Sequence, residues 1–127
     1  MGRVLGEEQH DLVVRDPVSK SVITLHYRRP TSEERVAYQM SAFRLEGQER
    51  RFCLGETRLK FGLEILTGFG AGDFLVPEEG GAVPLDPERH PDWKARLAQH
   101  APDLVSYLAQ QVFEGLRLAT PEEKEWG

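Results

Sequence analysis

The sequence predicts an α+β fold, an N-terminal β-hairpin packed on a small bundle of about four helices. Three observations predict it. Ser21 to Arg28 alternates with period two, its apolar face carrying Ile23, Leu25 and Tyr27. From Thr31 onward apolar residues recur at three- and four-residue spacings, as helices require. The chain is 127 residues long, 39% apolar and 29% charged, which suits one domain with one modest core and is too mixed for disorder. Residues 1–9 are expected to be a flexible leader, 10–118 a single α+β domain, and 119–127 a flexible acidic tail.

Each element has its own local reason. His10 to Arg15 is a short run with β-branched residues, and Asp16-Pro17-Val18-Ser19-Lys20 supplies turn chemistry before the second strand. The two runs and their turn predict a hairpin, whose apolar face must pack on something because an isolated hairpin is marginal in water. Pro30 ends the strand by lacking an N–H and restricting Arg29. Thr31 and Glu34 then have capping-box spacing, opening a helix with Val36, Met40 and Phe43 on one stripe and Gly47 at its end. Glu49 to Thr67 reads as a longer helix with two apolar stripes, one of Phe52, Leu59, Leu63 and Leu66, the other of Leu54, Phe61 and Ile65; it is expected at the centre of the core.

Gly68 to Gly72 breaks that helix, and a long Gly-, Pro- and acid-rich connection follows to Pro91. Within it Phe74-Leu75-Val76 and Ala82-Val83 can form a small hairpin across Glu78–Gly81. Asp92 is placed to cap a short helix from Trp93 to His100, and Pro102 suits the first turn of a last helix striped by Leu104, Val105, Leu108, Val112 and Leu116. The expected core comprises Ile23, Leu25, Val36, Met40, Phe43, Leu59, Leu63, Leu66, Leu104, Leu108 and Val112.

Composition excludes several function classes. With 16 basic and 21 acidic residues the net charge is −5, against a protein that coats nucleic acid. No apolar run approaches the ~20 residues of a membrane span, and the N-terminus lacks the apolar core of a secretion signal. A cytoplasmic protein is therefore expected. The single Cys53 excludes an internal disulfide and a cysteine-cluster zinc site. Charge is unevenly spread. Residues 1–64 have a net charge of +1 and residues 65–127 one of −6, with the basic excess between Arg28 and Lys60. Such a split can steer a partner, or it can be two ordinary solvated helix faces.

No catalytic constellation emerges. The glycines at 68, 70 and 72 follow a helix and lead into a loop, the reverse of a phosphate-binding glycine loop, and read as a helix stop with a hinge. His90 and His100, near Asp92 and Asp103, lack helical zinc spacing; no metal or cofactor is expected. Cys53 lies beside Arg50 and Arg51, which could lower a thiol pKa, but no base is visible and a buried core cysteine is the simpler reading. Glu33/Glu34 serve the helix dipole, and Glu78/Glu79 belong to a loop. Trp126 could anchor in a partner groove or belong to a frayed end. Candidate partner-binding residues are Tyr27, Arg28, Arg29, Arg50, Arg51, Arg58, Phe69 and Phe74, which combine an arginine-rich edge with aromatic side chains. The alternative use of the same edge is a small adaptor that binds nucleic acid through its arginines, with Tyr27 and Phe52 stacking on bases.

The run Asp16 to Glu34 resembles small phage tail proteins, in which a hairpin leads through an Arg-x-Pro-Thr step, here Arg28-Arg29-Pro30-Thr31, into an acidic-capped helix. The block Glu56 to Phe69 is similar to segments of prophage tail assembly chaperones, and the resemblance spans about residues 10–75. The loop at 74–91 and the Trp-ended tail match no part of that pattern. The resemblance implies a non-enzymatic protein of the bacterial host cytoplasm, similar to holdases. Such a protein coats the helical tape-measure protein, recruits tail-tube subunits, and leaves before the tail is complete. It also implies possible self-association, no membrane, and in some members a longer form made by ribosomal frameshifting.

Overall fold

A computed structural model describes residues 9–46, 49–52 and 54–115, with 43–46 and 49–52 described by their backbone. The fold is α+β, with an N-terminal hairpin followed by helices. Strands β1 (Gln9–Arg15) and β2 (Val22–Arg28) form the expected antiparallel hairpin, in unbroken register from Gln9↔Arg28 to Arg15↔Val22. Its turn is tied by Asp16, whose carboxylate accepts from the Val18 and Ser19 amides and from the Ser19 hydroxyl at 2.7 Å. Those bonds, the hydroxyl's first, hold the Asp16 carboxyl below its ordinary range.

Helix α1 (Ser32–Ser41) carries the expected capping box: the Glu34 amide donates to Thr31 Oγ1 at 3.1 Å, and the Thr31 amide to Glu34 Oε1 at 2.9 Å. Strands β3 (Phe43–Glu46) and β4 (Glu49–Phe52) pair antiparallel, and helix α2 spans Leu54–Ile65. Strand β5 (Leu66–Phe69) joins β2, completing a sheet of order β1-β2-β5. Strands β6 (Leu75–Glu78) and β7 (Gly81–Pro84) form a separate hairpin, turned through Gly80 and Gly81 at φ of 94° and 127°. Helices α3 (Trp93–His100) and α4 (Pro102–Glu114) follow, with Pro102 in the first turn as expected.

The inner face of the sheet and the helices share one core, centred on Ile23, Leu25, Ile65, Leu66, Val105 and Leu108. Leu104 is buried there too, and Leu59, Leu63 and Val112 pack at its margin. A second cluster joins Tyr38, Phe61 and Ala109 under Phe113; Tyr38 and Phe113 stack at 4.4 Å, with Phe61 edge-on to both. Helix α2 lies against α4, α1 and α3, the sandwiched position its two apolar stripes predict.

The structure corrects the sequence reading in four places. Helix α1 stops at Ser41 instead of running to Gly47, which lies outside the described residues. Its Val36 and Met40 are 56% and 73% exposed rather than core, while Tyr38, 200° away around the helix from Val36, is buried. The aromatic ring and hydroxyl of Tyr38 find partners on α4, and one narrow helix cannot bury both sides there. The side chain of Phe43 lies outside the described residues. The second helix is shorter than expected at both ends. Residues 49–52 form β4, consistent with the alternation in Phe43-Arg44-Leu45-Glu46, and 66–69 form β5, where Gly68 weakens a helix and lies against the His26 ring. Asp92 makes no capping bond; its carboxylate instead takes Arg96 one turn on, which holds it below its ordinary range. Cys53, Leu116 and Trp126 lie outside the described residues.

Candidate protein-binding surface

Two arginines of the edge, Arg28 and Arg58, are engaged within the fold. Arg28, at the end of β2, makes a bidentate pair with Glu34, at 2.7 and 2.9 Å, and reaches the Glu64 carbonyl at 3.4 Å. The guanidinium, aided by the Thr31 bonds, holds the Glu34 carboxyl down to about 2, and Glu34 in turn raises Arg28. Arg58, on α2, forks onto Glu114 at the end of α4, at 2.6 and 2.8 Å. Glu114 also accepts from the Tyr38 hydroxyl, so one carboxylate joins α1, α2 and α4. Arg58 holds Glu114 below its ordinary range, while burial, then Glu114, raises the Tyr38 hydroxyl.

The remaining predicted residues are dispersed. Tyr27 is half-buried against the His10 ring, and Arg29 is half-buried with Nη2 enclosed and unpartnered. Phe69 belongs to the main core, edge-on to Phe74 and Trp93. Arg50 and Arg51 stand on β4, their side chains outside the described residues. The structure thus joins Arg28 to Glu34 and Arg58 to Glu114, and places Phe69 beside Phe74. It does not gather the described members of the set on one patch.

Two of the concavities on the described surface are notable. The larger, an open groove of about 730 Å³, runs between α1 and α2 and is lined by Ala37, Met40, Ser41, Glu56, Thr57 and Lys60. Val36 stands one turn before Met40 on the same stripe, so an apolar ridge borders the groove, with the Lys60 charge across it. The smaller hollow, about 490 Å³, lies between the β1–β2 turn, the β6–β7 hairpin and helices α3 and α4. Its apolar lining includes Phe74, Val76, Leu97 and Leu104, with the exposed Val18 and Leu75 beside them. Of the predicted residues whose side chains are described, only Phe74 lines either concavity. Sequence reasoning missed the α1–α2 groove because it assigned Val36 and Met40 to the core. The signal that could have found it is the second stripe of α1, Arg35 and Tyr38, whose side chains bond to the Val112 carbonyl and to Glu114.

His90 is a structural residue. Its Nδ1 accepts the Asp86 amide at 3.1 Å, so its proton sits on Nε2, which faces Glu78 at 3.2 Å. This bond ties the connection after β7 back to β6. Among the described residues no group of three His, Cys, Asp or Glu could hold a metal ion, and no helix is long and apolar enough to cross a membrane. No family model, curated protein or solved structure matches this chain.

Proposed function

We propose that this chain is a non-enzymatic tail assembly chaperone of a phage or prophage, which binds the tape-measure and tail-tube proteins in the host cytoplasm. The observation that carries the reading is the exposed Val36–Met40 ridge beside the α1–α2 groove, on a domain whose core closes without either side chain. An amphipathic helix of the tape-measure protein would lay its apolar face along that ridge and set an acidic residue against Lys60. The flexible Met40 thioether suits a chaperone that must follow successive, non-identical segments of one long helix. An open groove also suits release, because a shallow contact ends without unfolding the holder. The hairpin and the Arg28-Arg29-Pro30-Thr31 step into a capped helix support the same reading through their resemblance to small tail proteins.

The nucleic-acid alternative draws less support. At Arg28 and Arg58, two of the five arginines of that edge, phosphates would have to displace Glu34 and Glu114, both bidentate partners. The decisive experiment co-expresses tagged full-length chain with the tape-measure and tail-tube proteins of its own phage, then identifies captured chains by mass spectrometry. Both proteins are expected with the native chain. Met40→Asp, checked for unaltered circular dichroism, is expected to lower tape-measure capture at least about tenfold by placing a charge on the apolar ridge. Absence of both proteins, or capture indifferent to Met40→Asp, overturns the reading.

A further inference from the structure

Strand β1 is an edge. It pairs with β2 on one side, and among the described residues nothing pairs with it on the other. Two main-chain bonds establish which residues face that open side. The Asp16 amide donates to the Ser21 carbonyl at 2.9 Å, and across β2 the Gly70 amide donates to Thr24 at 2.9 Å. Main-chain polarity alternates along an antiparallel strand, so the pairs 10↔27, 12↔25 and 14↔23, in phase with 16↔21, point their amides and carbonyls at each other. The amides and carbonyls of Gln9, Asp11, Val13 and Arg15 therefore point to the open edge.

Edge strands are ordinarily protected from pairing by prolines, bulges or charges. Strand β1 has seven residues, no proline and no register shift. Its two charged residues are of opposite sign and stand symmetrically about Val13, which is 61% exposed. Asp11 is steadied on the outer face by the His26 ring across the hairpin, at 2.6 Å. The pattern is self-complementary. When two copies meet antiparallel about a twofold axis at Val13, each Asp11 stands opposite the Arg15 of the second copy, and the two Val13 residues stand opposite each other. All three pairings fall on residues whose main-chain groups point outward, giving six main-chain hydrogen bonds. On the inner face Leu12 meets Val14 of the second copy, extending the apolar surface of the sheet. Pro17, opposite Gln9, lacks an amide and ends the ladder. Moving the axis to Asp11 places like charges face to face, and moving it to Leu12 leaves Asp11 opposite Val13; only the Val13-centred register pairs every charge.

We propose that β1 is a homotypic interface, through which two copies of this chain form one continuous six-stranded antiparallel sheet in the Val13-centred register. The inference is independent of the tail-assembly reading and concerns a different face from the α1–α2 groove. The contact is narrow, so the dimer is weak and depends on concentration.

Sedimentation velocity of the full chain across a concentration series tests it. A reversible monomer–dimer equilibrium is expected. Asp11→Arg and Arg15→Asp, each placing like charges in register, are expected to raise the dissociation constant at least about tenfold, and the double exchange to restore it. Circular dichroism of each variant separates lost pairing from lost folding. In a second arm Val13→Cys, in a Cys53→Ser background, is expected to oxidise to a covalent dimer, because directly opposed residues of a hydrogen-bonded pair have Cα atoms about 5.5 Å apart, within disulfide reach. A chain that stays monomeric throughout, a dimer unmoved by either single exchange, or failure of Val13→Cys to cross-link overturns the proposal.

Discussion

Glu34 does two jobs with one carboxylate. It closes the capping box on Thr31 and anchors the Arg28 guanidinium at the end of the hairpin, so the junction between sheet and first helix turns on a single side chain. Its folded pKa, about 2 against an ordinary 4.5, means that the unfolded chain binds this proton more readily than the folded one. The stabilisation is complete above about pH 4.5 and drains away as pH falls through 2. Glu34→Gln keeps an acceptor for the Thr31 amide but loses the charge. It is expected to lower neutral-pH stability by about 1 kcal/mol. Urea unfolding followed from pH 7 to 2 should show the difference between variant and native chain shrinking as the native carboxyl protonates. A difference independent of pH would mean that the Arg28 pair contributes nothing.

The helix α2 is where element-level choices are most visible. Two glycines sit in it, a composition that local propensity disfavours by ~1 kcal/mol each. Gly62 has a packing reason: a Cβ there would press on the Val105 carbonyl and stand 2.9 Å from Val105 Cγ1, so α2 and α4 approach at a distance only glycine permits. Gly55 has no such neighbour within 4 Å. The same substitution should therefore change sign between the two sites. Gly62→Ala is expected to destabilise by ~1–3 kcal/mol through overpacking. Gly55→Ala is expected to stabilise by a few tenths to ~1 kcal/mol. Thermal unfolding of the two variants checks both, and stabilisation at Gly62 would mean that the α2–α4 spacing is adjustable. The end of α2 is held by Lys94, whose Nζ donates to the Leu63 carbonyl at 2.7 Å, with burial lowering its pKa.

For the whole molecule, part of the charge that looks available in the sequence is committed in the fold. Arg28 and Arg58, two of the five arginines that suggested a phosphate surface, each hold a carboxylate from another element. With a net charge of −5, oligonucleotide binding followed by fluorescence anisotropy at physiological salt is expected to show no saturation. Tight binding with a steep salt dependence would replace the chaperone reading with the nucleic-acid adaptor. The fold also leaves several large apolar side chains exposed, among them Val36 and Met40 by the groove, Val18 and Leu75 by the hollow, Val13 on the sheet edge, and Val22 and Tyr107 elsewhere.

Local sequence signals suffice for the α+β class, the β1–β2 hairpin and its inner face, the Thr31–Glu34 cap, the small β6–β7 hairpin, and the bounds of α3. Each of these is a local matter: period-two alternation, a turn residue, a capping pair or a proline acts within a few residues, and the sequence displays it directly. Three other features depend on contacts between residues far apart in the chain. Residues 66–69 became a strand because β2 had an open edge to receive them, which no helix-or-strand pattern in Leu66-Thr67-Gly68-Phe69 states. Tyr38 went inward and Met40 outward because Phe113, Phe61 and Glu114, all distant in sequence, formed the surface that α1 packs on. The candidate surface was hidden for the same reason. An apolar stripe is visible in sequence, but whether it meets a core or faces water depends on which neighbour arrives, and that is settled by contacts across the chain.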